Sequence, residues 1–254
     1  MHFLIQTIGG QIVDDFAFEL IQCQEYYRWK IPVEPFEITY HEGLSFDGIA
    51  NPDKYIPVGS VEFVSLYLDT FYPEAVAALR PLNVPEVLFP LAGRRIVNVE
   101  TTKDLQVFKP GAQLFRKSNH VIKNVNNGLW VNNPERQEEA VGFQVSEEIN
   151  IDSEWRLFVF HDEILHVSNY AGDPLLFPSL LSIRQMLSAY KGLSPAAYTL
   201  DVGVCLDHEK HQVRTVVIEC HRFFSCGLYG FGDRNKYPKM LSQTWFQMKH
   251  LRNG

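Results

Sequence analysis

Pro81, Pro85 and Pro90 fall within ten consecutive residues, and the chain changes texture across them. Each proline fixes φ and withholds a backbone N–H, so such a stretch is excluded from helix interiors and central strands and reads as a linker. Before it, short apolar runs alternate with helical ones. Phe3 to Thr7 has the pattern of a strand. Asp14 and Asp15 then open a helix running to about Arg28, with carboxylates at its electropositive end and Phe16, Leu20 and Tyr27 on one face. Pro32 and Pro35 punctuate a loop before a second strand at Ile38 to Tyr40. Val61 to Phe71 reads as a helix with Ser60 as cap and Glu62 in the first turn. Residues 1–90 are therefore expected to form a small α/β lobe.

Residues 91–254 read as strands and hairpins. Arg95 to Val99, Leu105 to Lys109, Val141 to Ser146, Glu154 to Phe160 and Ile164 to Asn169 are strand-like. A helix follows near Ser179 to Tyr190, then a hairpin of Tyr198 to Leu206 with Val213 to His221. Pro238 to Leu251 reads as a closing helix with proline in its first turn. The expected class is α+β, dominated in this part by antiparallel sheet.

Bulk properties narrow the function. A formal net charge of −7 counts against general nucleic-acid binding, which needs a basic surface to displace counterions. No apolar run reaches the roughly 18 residues of a membrane span, and Met1 to Gly10 lacks a basic leader, so no membrane partner and a cytoplasmic location are expected. Cys23, Cys205, Cys220 and Cys226 are too few for a disulfide framework. Cys205, His208, His211, Cys220, His221 and Cys226 crowd together, but their spacing matches no zinc finger, and Cys220 and His221 point to opposite faces of a strand. Buried, inert thiols are the expectation.

The chemistry concentrates in the last hairpin. Alternation along Thr215 to His221 places Val217, Glu219 and His221 on one face. With the turn centred near residue 210, Asp201 falls opposite Glu219. Facing carboxylates in an apolar strand pair repel unless a cation lies between them, and Mg²⁺ binds through one or two carboxylates plus substrate phosphates. The alternative is that one of the two faces solvent or an arginine. Glu154, Arg156 and Phe158 share a face of another strand, where the acid and base would serve equally as a surface ion pair. Lys109, at the end of an apolar segment, would either snorkel to water or meet a phosphate. No GxxxxGK[ST] or strand-linked GxGxxG loop is present, which leaves P-loop and Rossmann sites unsupported.

In order, a segment ending in Lys109-Pro110, an acidic hinge Ser146-Glu147-Glu148, Glu154 in an E-x-R strand, Asp201, and Glu219-x-His221 resemble the ATP-grasp superfamily. With Pro57 to Phe63, the resemblance is to its small single-chain members common in phages and bacteria, and the location it implies for a viral member is the host cytoplasm. It implies an ATP-grasp fold in which an N-terminal α/β lobe precedes antiparallel-sheet lobes that clamp ATP. It further implies that Lys109 contacts the phosphates, that Glu147 and Glu148 line the adenine through backbone groups, and that Glu154 binds the ribose. Arg94 or Arg95 would supply a further cation, and Arg156 would meet the triphosphate or an acyl phosphate. Asp201, Glu219 and His221 would hold the metal. His221 stands where the family usually has asparagine; imidazole suits softer ions than Mg²⁺, so Mn²⁺ becomes a second candidate. The implied activity is ATP-dependent carboxylate–amine ligation through an acyl phosphate, on small-molecule or peptide substrates. A non-catalytic nucleotide-binding protein and a kinase of the same fold are the alternatives. By the same analogy Phe223 to Gly230, small and flexible, would border the substrate, with Cys226 structural there.

Overall fold

The structure, a computed structural model, describes residues 1–30, 36–122, 124–207 and 212–252. Pro32, Pro35, His208 and His211, singled out above, lie outside the described residues, as does most of the turn near residue 210.

The N-terminal lobe is built on β1 (His2–Ile8), which pairs with β2 (Gln11–Ile12) in a hairpin and runs parallel to β3 (Glu37–Glu42) and β4 (Ile56–Val58). Phe3, Leu4 and Ile5 are all buried, because helices cover both faces of a parallel strand. Phe3 and Ile5 pack on Phe16 and Leu20 of α1 (Asp15–Lys30), while Leu4 packs on Phe63, Tyr67 and Leu68 of α2 (Val61–Phe71). A short α3 (Pro73–Ala78) follows. The Asp14 carboxylate accepts from Phe16 N, and Ser60 Oγ accepts from Phe63 N at 3.1 Å, so both expected helix starts are present. Ser60→Ala, leaving that N–H without its cap, should destabilise the protein by about 1 kcal/mol, seen in thermal denaturation as a fall of roughly 2–4 °C.

Two antiparallel sheets make up the rest. The first has the order β5-β8-β6-β7, from β5 (Ile96–Asn98), β6 (Gln113–Ser118), β7 (Gly128–Val131) and β8 (Phe143–Glu147). The second has the order β10-β9-β11-β12, from β9 (Ser153–Phe160), β10 (Glu163–Gly172), β11 (Ala197–Asp207) and β12 (Gln212–Arg222). One face of this second sheet, carrying Leu157, Val159, Leu200, Val202, Val217 and Cys220, is covered by α4 (Leu180–Tyr190) and by Val84 and Leu88 of the proline-rich segment. At one end of the other face Phe158, Phe160 and Ala197 pack against α1 and α5 (Tyr237–Lys249), in a core continuous with Phe3 and Ile5. The remainder of that face carries Glu154, Arg156, Asp201 and Glu219.

Two expectations are corrected. Residues 102–107 form a 3₁₀ helix, with Thr101 and Asp104 in a capping box, so Leu105 to Lys109 is not a strand. The local side-chain-to-backbone bonds of Thr101 and Asp104 outweigh the apolar pattern, and Lys109 sits exposed in the turn beyond. The proline-rich stretch is no free linker either: Val84 and Leu88 are buried, and Asn83 bridges to β12.

Candidate functional site

Strand β11 pairs with β12 from Asp207↔Gln212 through Val202↔Val217, then shifts by one residue so that Asp201 faces Glu219. Carried unbroken, the first register would have set Ile218 opposite Asp201. A β-bulge at Ile218 brings Glu219 into place and turns Val217 into the apolar core, so Val217 does not share a face with Glu219 and His221. Bulges re-aim side chains in this way beside functional sites. Arg94 secures the bulge: its Nη1 donates to Val217 O at 2.7 Å and its Nη2 to Ile218 O at 3.2 Å. Burial lowers the Arg94 pKa, with Cys205 acting in the opposite sense.

Asp201, Glu219 and His221 present ligand atoms within 4.8 Å of one another. Arg156 lies opposite Asp201 on β9 and pairs with it in two parallel bonds, Nε–Oδ1 at 2.8 Å and Nη2–Oδ2 at 2.6 Å. The two side chains are 8% and 1% exposed. Burial alone would lower the Arg156 pKa, but the Asp201 carboxylate outweighs it and raises it. Asp201 rather than Glu154 is thus the acid that meets Arg156. Glu154 instead accepts from Tyr170 Oη at 2.6 Å. Tyr170 stacks on Tyr229, and the Arg156 guanidinium lies 5.1 Å from the Tyr229 ring centroid.

Glu219 is held by His221 Nε2 at 2.9 Å and by the ammonium of Lys117, from the other antiparallel sheet. Burial pushes the Lys117 pKa down to about 8, against the raising influence of Asp201 and Glu154. One residue joins the two sheets here. Asn83 O accepts from Cys220 N at 2.6 Å, and Asn83 Nδ2 donates to Ser118 O at 2.9 Å. Cys220 follows Glu219 and Ser118 follows Lys117, so this clamp sets the lysine against the carboxylate. Asn83 adopts φ 45°, a left-handed conformation asparagine tolerates better than most residues.

The other predicted residues divide. Arg95 is exposed, its backbone N–H donating to Glu147 Oε2 at 2.9 Å and its guanidinium to Val107 O. Glu147 ends β8 and Glu148 is exposed just beyond it. Lys109 is not among the residues brought together. Lys117 was missed because β6, Gln-Leu-Phe-Arg-Lys-Ser, is too polar to stand out as a strand; its signal is the alternation of buried Leu114 and Ser118 with Phe115 and Lys117.

A cavity of about 360 Å³ opens beside the cluster, lined by Lys117, Arg156, Glu219 and His221 among others. Phe224 to Gly227 and Tyr229 form one wall. The loop reads as small and flexible from sequence but is pinned: Ser225 Oγ donates to Gly59 O at 2.6 Å, Leu228 N to Asp15 Oδ2 at 3.3 Å, and Ser168 Oγ to Tyr229 O at 2.6 Å. Burial pushes the Cys226 thiol up to about 12, with Arg156 lowering it less, which keeps the sulfur protonated and unreactive. All four cysteines are free.

Residues 92–240 match a family model described as an "ATP-grasp domain", the second family of its clade. The chain belongs to the ATP-grasp superfamily. Its fold is similar to that of N5-carboxyaminoimidazole synthetase from Staphylococcus aureus, with a TM-score of 0.56, 12% identity, and coverage of 95% of this chain and 77% of that one. It is similar also to a macrocyclase bound with precursor peptide from Microcystis aeruginosa, with a TM-score of 0.52, 11% identity and coverage of 95% and 99%. D-alanine–D-alanine ligase from Bacillus anthracis gives a TM-score of 0.51, 13% identity and coverage of 98% of both chains. No curated relative matches the chain by sequence. Mixed helix and antiparallel sheet is the fold class of this ATP-grasp protein, as expected. Among the described residues no helix is long and apolar enough to cross a membrane.

Proposed function

We propose that this ATP-grasp protein is an ATP-dependent carboxylate–amine ligase. The observation that carries the reading is the meeting of Asp201, Glu219 and His221 with Lys117 and Arg156 at the rim of one cavity. Two carboxylates and an imidazole suit a divalent ion, and the imidazole tilts the set towards Mn²⁺. Such an ion, held by Asp201, Glu219 and His221, would supply charge neutralisation to the triphosphate. Lys117, rather than the exposed Lys109, takes the phosphate role in this proposal. Arg156 stabilises charge on the transferring phosphoryl group, Glu154 meets the ribose, and backbone groups near Glu147 and Glu148 meet the adenine, between lobes that divide near residue 90. The substrate carboxylate attacks the γ-phosphorus and releases ADP; an amine then displaces phosphate from the acyl phosphate and leaves an amide. The closed walls around the cavity keep water from the acyl phosphate. The superfamily's solved members include ligases acting on small molecules and on a peptide, and both substrate classes stay within the proposal.

The test couples binding to turnover. Millimolar Mg-ATP should raise the melting temperature and EDTA should abolish the rise. ADP release should require both a carboxylate and an amine, and His221→Asn should move metal preference from Mn²⁺ towards Mg²⁺. Tight Mg-ATP binding without ADP release for any pair would favour a non-catalytic nucleotide-binding protein. A phosphorylated product that accumulates regardless of amine would indicate a kinase.

A further inference from the structure

Arg222 ends β12 and lines the cavity. Its Nε is buried with no hydrogen-bond partner, and among the described residues no carboxylate pairs with its guanidinium. Burial lowers its pKa, with Tyr190 acting the other way. A buried cation without a counter-charge is costly to keep. The other charges on the cavity wall are matched: Arg156 by Asp201, and Lys117 by Glu219. Arg80, exposed at the mouth, uses Nη1 on Ala77 O at 2.6 Å and Leu79 O at 3.0 Å, which leaves the rest of its guanidinium for a ligand. Between these arginines and the cluster the wall is apolar, formed by Val61, Leu82, Val121, Ile122 and Phe224. A ligand suited to this surface has an anionic group at one end and a short aliphatic middle, with its other end directed at Lys117 and Arg156.

We propose that the cavity takes a carboxylate substrate bearing a second anionic group, which seats on Arg222 and Arg80 while the reacting carboxylate lies towards Lys117 and Arg156. The proposal rests on the ligase reading for the identity of the reacting end.

The probes are succinate, glutarate and adipate, each compared with the monocarboxylate in which one carboxyl is replaced by methyl: butyrate, valerate and hexanoate. Binding is measured by calorimetry on the full chain with a divalent ion and a non-hydrolysable ATP analogue. At least one dicarboxylate should bind about tenfold or more tightly than its partner, about 1.4 kcal/mol. Arg222→Gln should reduce that preference to near unity, and Arg80→Gln should reduce it in part. Equal affinity within every pair, or no binding by any probe, overturns the proposal. If Arg222→Gln does not fold, the parent comparison and the surface variant Arg80→Gln decide the matter. ADP release with ammonium separates the two readings. Selective dicarboxylate binding without ADP release removes the ligase reading and leaves the anion site, whereas equal turnover of both members of a pair removes the anion site and leaves the ligase.

Discussion

Arg156→Leu should destabilise the protein by about 3–5 kcal/mol, because it leaves the Asp201 carboxylate buried without its partner. The paired side chains are 8% and 1% exposed, so solvent cannot take over the lost contact. The same change removes the bond from Arg156 Nη1 to Gly227 O, 3.0 Å long, which ties the cavity loop to the sheet. For a chain of this size the melting temperature should fall by roughly 6–20 °C. The double variant Arg156→Met with Asp201→Leu should recover most of the loss, since an apolar pair of similar volume can replace a buried ion pair at little net change. Thermal and urea denaturation of the two single variants and the double variant form the necessary cycle. A second charge on Asp201 would show itself too: if the carboxylate also faces a divalent ion, millimolar Mn²⁺ should restore part of the stability of Arg156→Leu. A melting temperature for Arg156→Leu within a degree or two of the parent would show that the pair contributes little.

Lys117→Ala should weaken Mg-ATP binding by about tenfold or more, the loss expected when a charge-assisted contact to phosphate is removed. Lys109→Ala, at an exposed turn, should change it little. The dependence on pH follows from the depressed pKa of Lys117, about 8 in the free protein. Phosphate meets the ammonium, so the bound form keeps its proton while the free form loses it as pH rises. Affinity should therefore be full below pH 8 and fall as pH climbs through it. Lys117→Arg should bind Mg-ATP without that decline, because guanidinium stays charged throughout. Equilibrium titrations between pH 6.5 and about 9.5 test both statements. A parent profile flat across that range would remove Lys117 from the phosphate site.

Much of the fold was legible because its signals are local. The helix capped by Ser60, the strand Phe3 to Thr7, the hairpins and the closing helix follow from periodicity, caps and proline positions. The 3₁₀ turn before Lys109 was not legible: its capping box overrode an apolar run that resembles a strand. Lys117 was missed for a related reason, since β6 is polar and shows its alternation only once Leu114 and Ser118 are known to be buried.

The site divides in the same way. Asp201, Glu219 and His221 could be named from the hairpin alone, because alternation and pairing lie within one short stretch of chain. Asp201 meets Glu219 only through the bulge at Ile218, whose carbonyl and that of Val217 are taken by Arg94 from 123 and 124 residues away. Counting outward from the turn reaches the right pair, although the register nearest the turn would have missed it. Arg156 and Glu154 looked like partners two residues apart, yet Arg156 turned to Asp201 on the adjacent strand. Asn83, in a segment that reads as a linker, sets Lys117 of one sheet against Glu219 of the other. Sequence determined which face of each strand a side chain takes, because that depends on a repeat of two. Which faces meet depends on how sheets dock, and that is fixed by buried contacts between residues far apart in the chain, which no local pattern records.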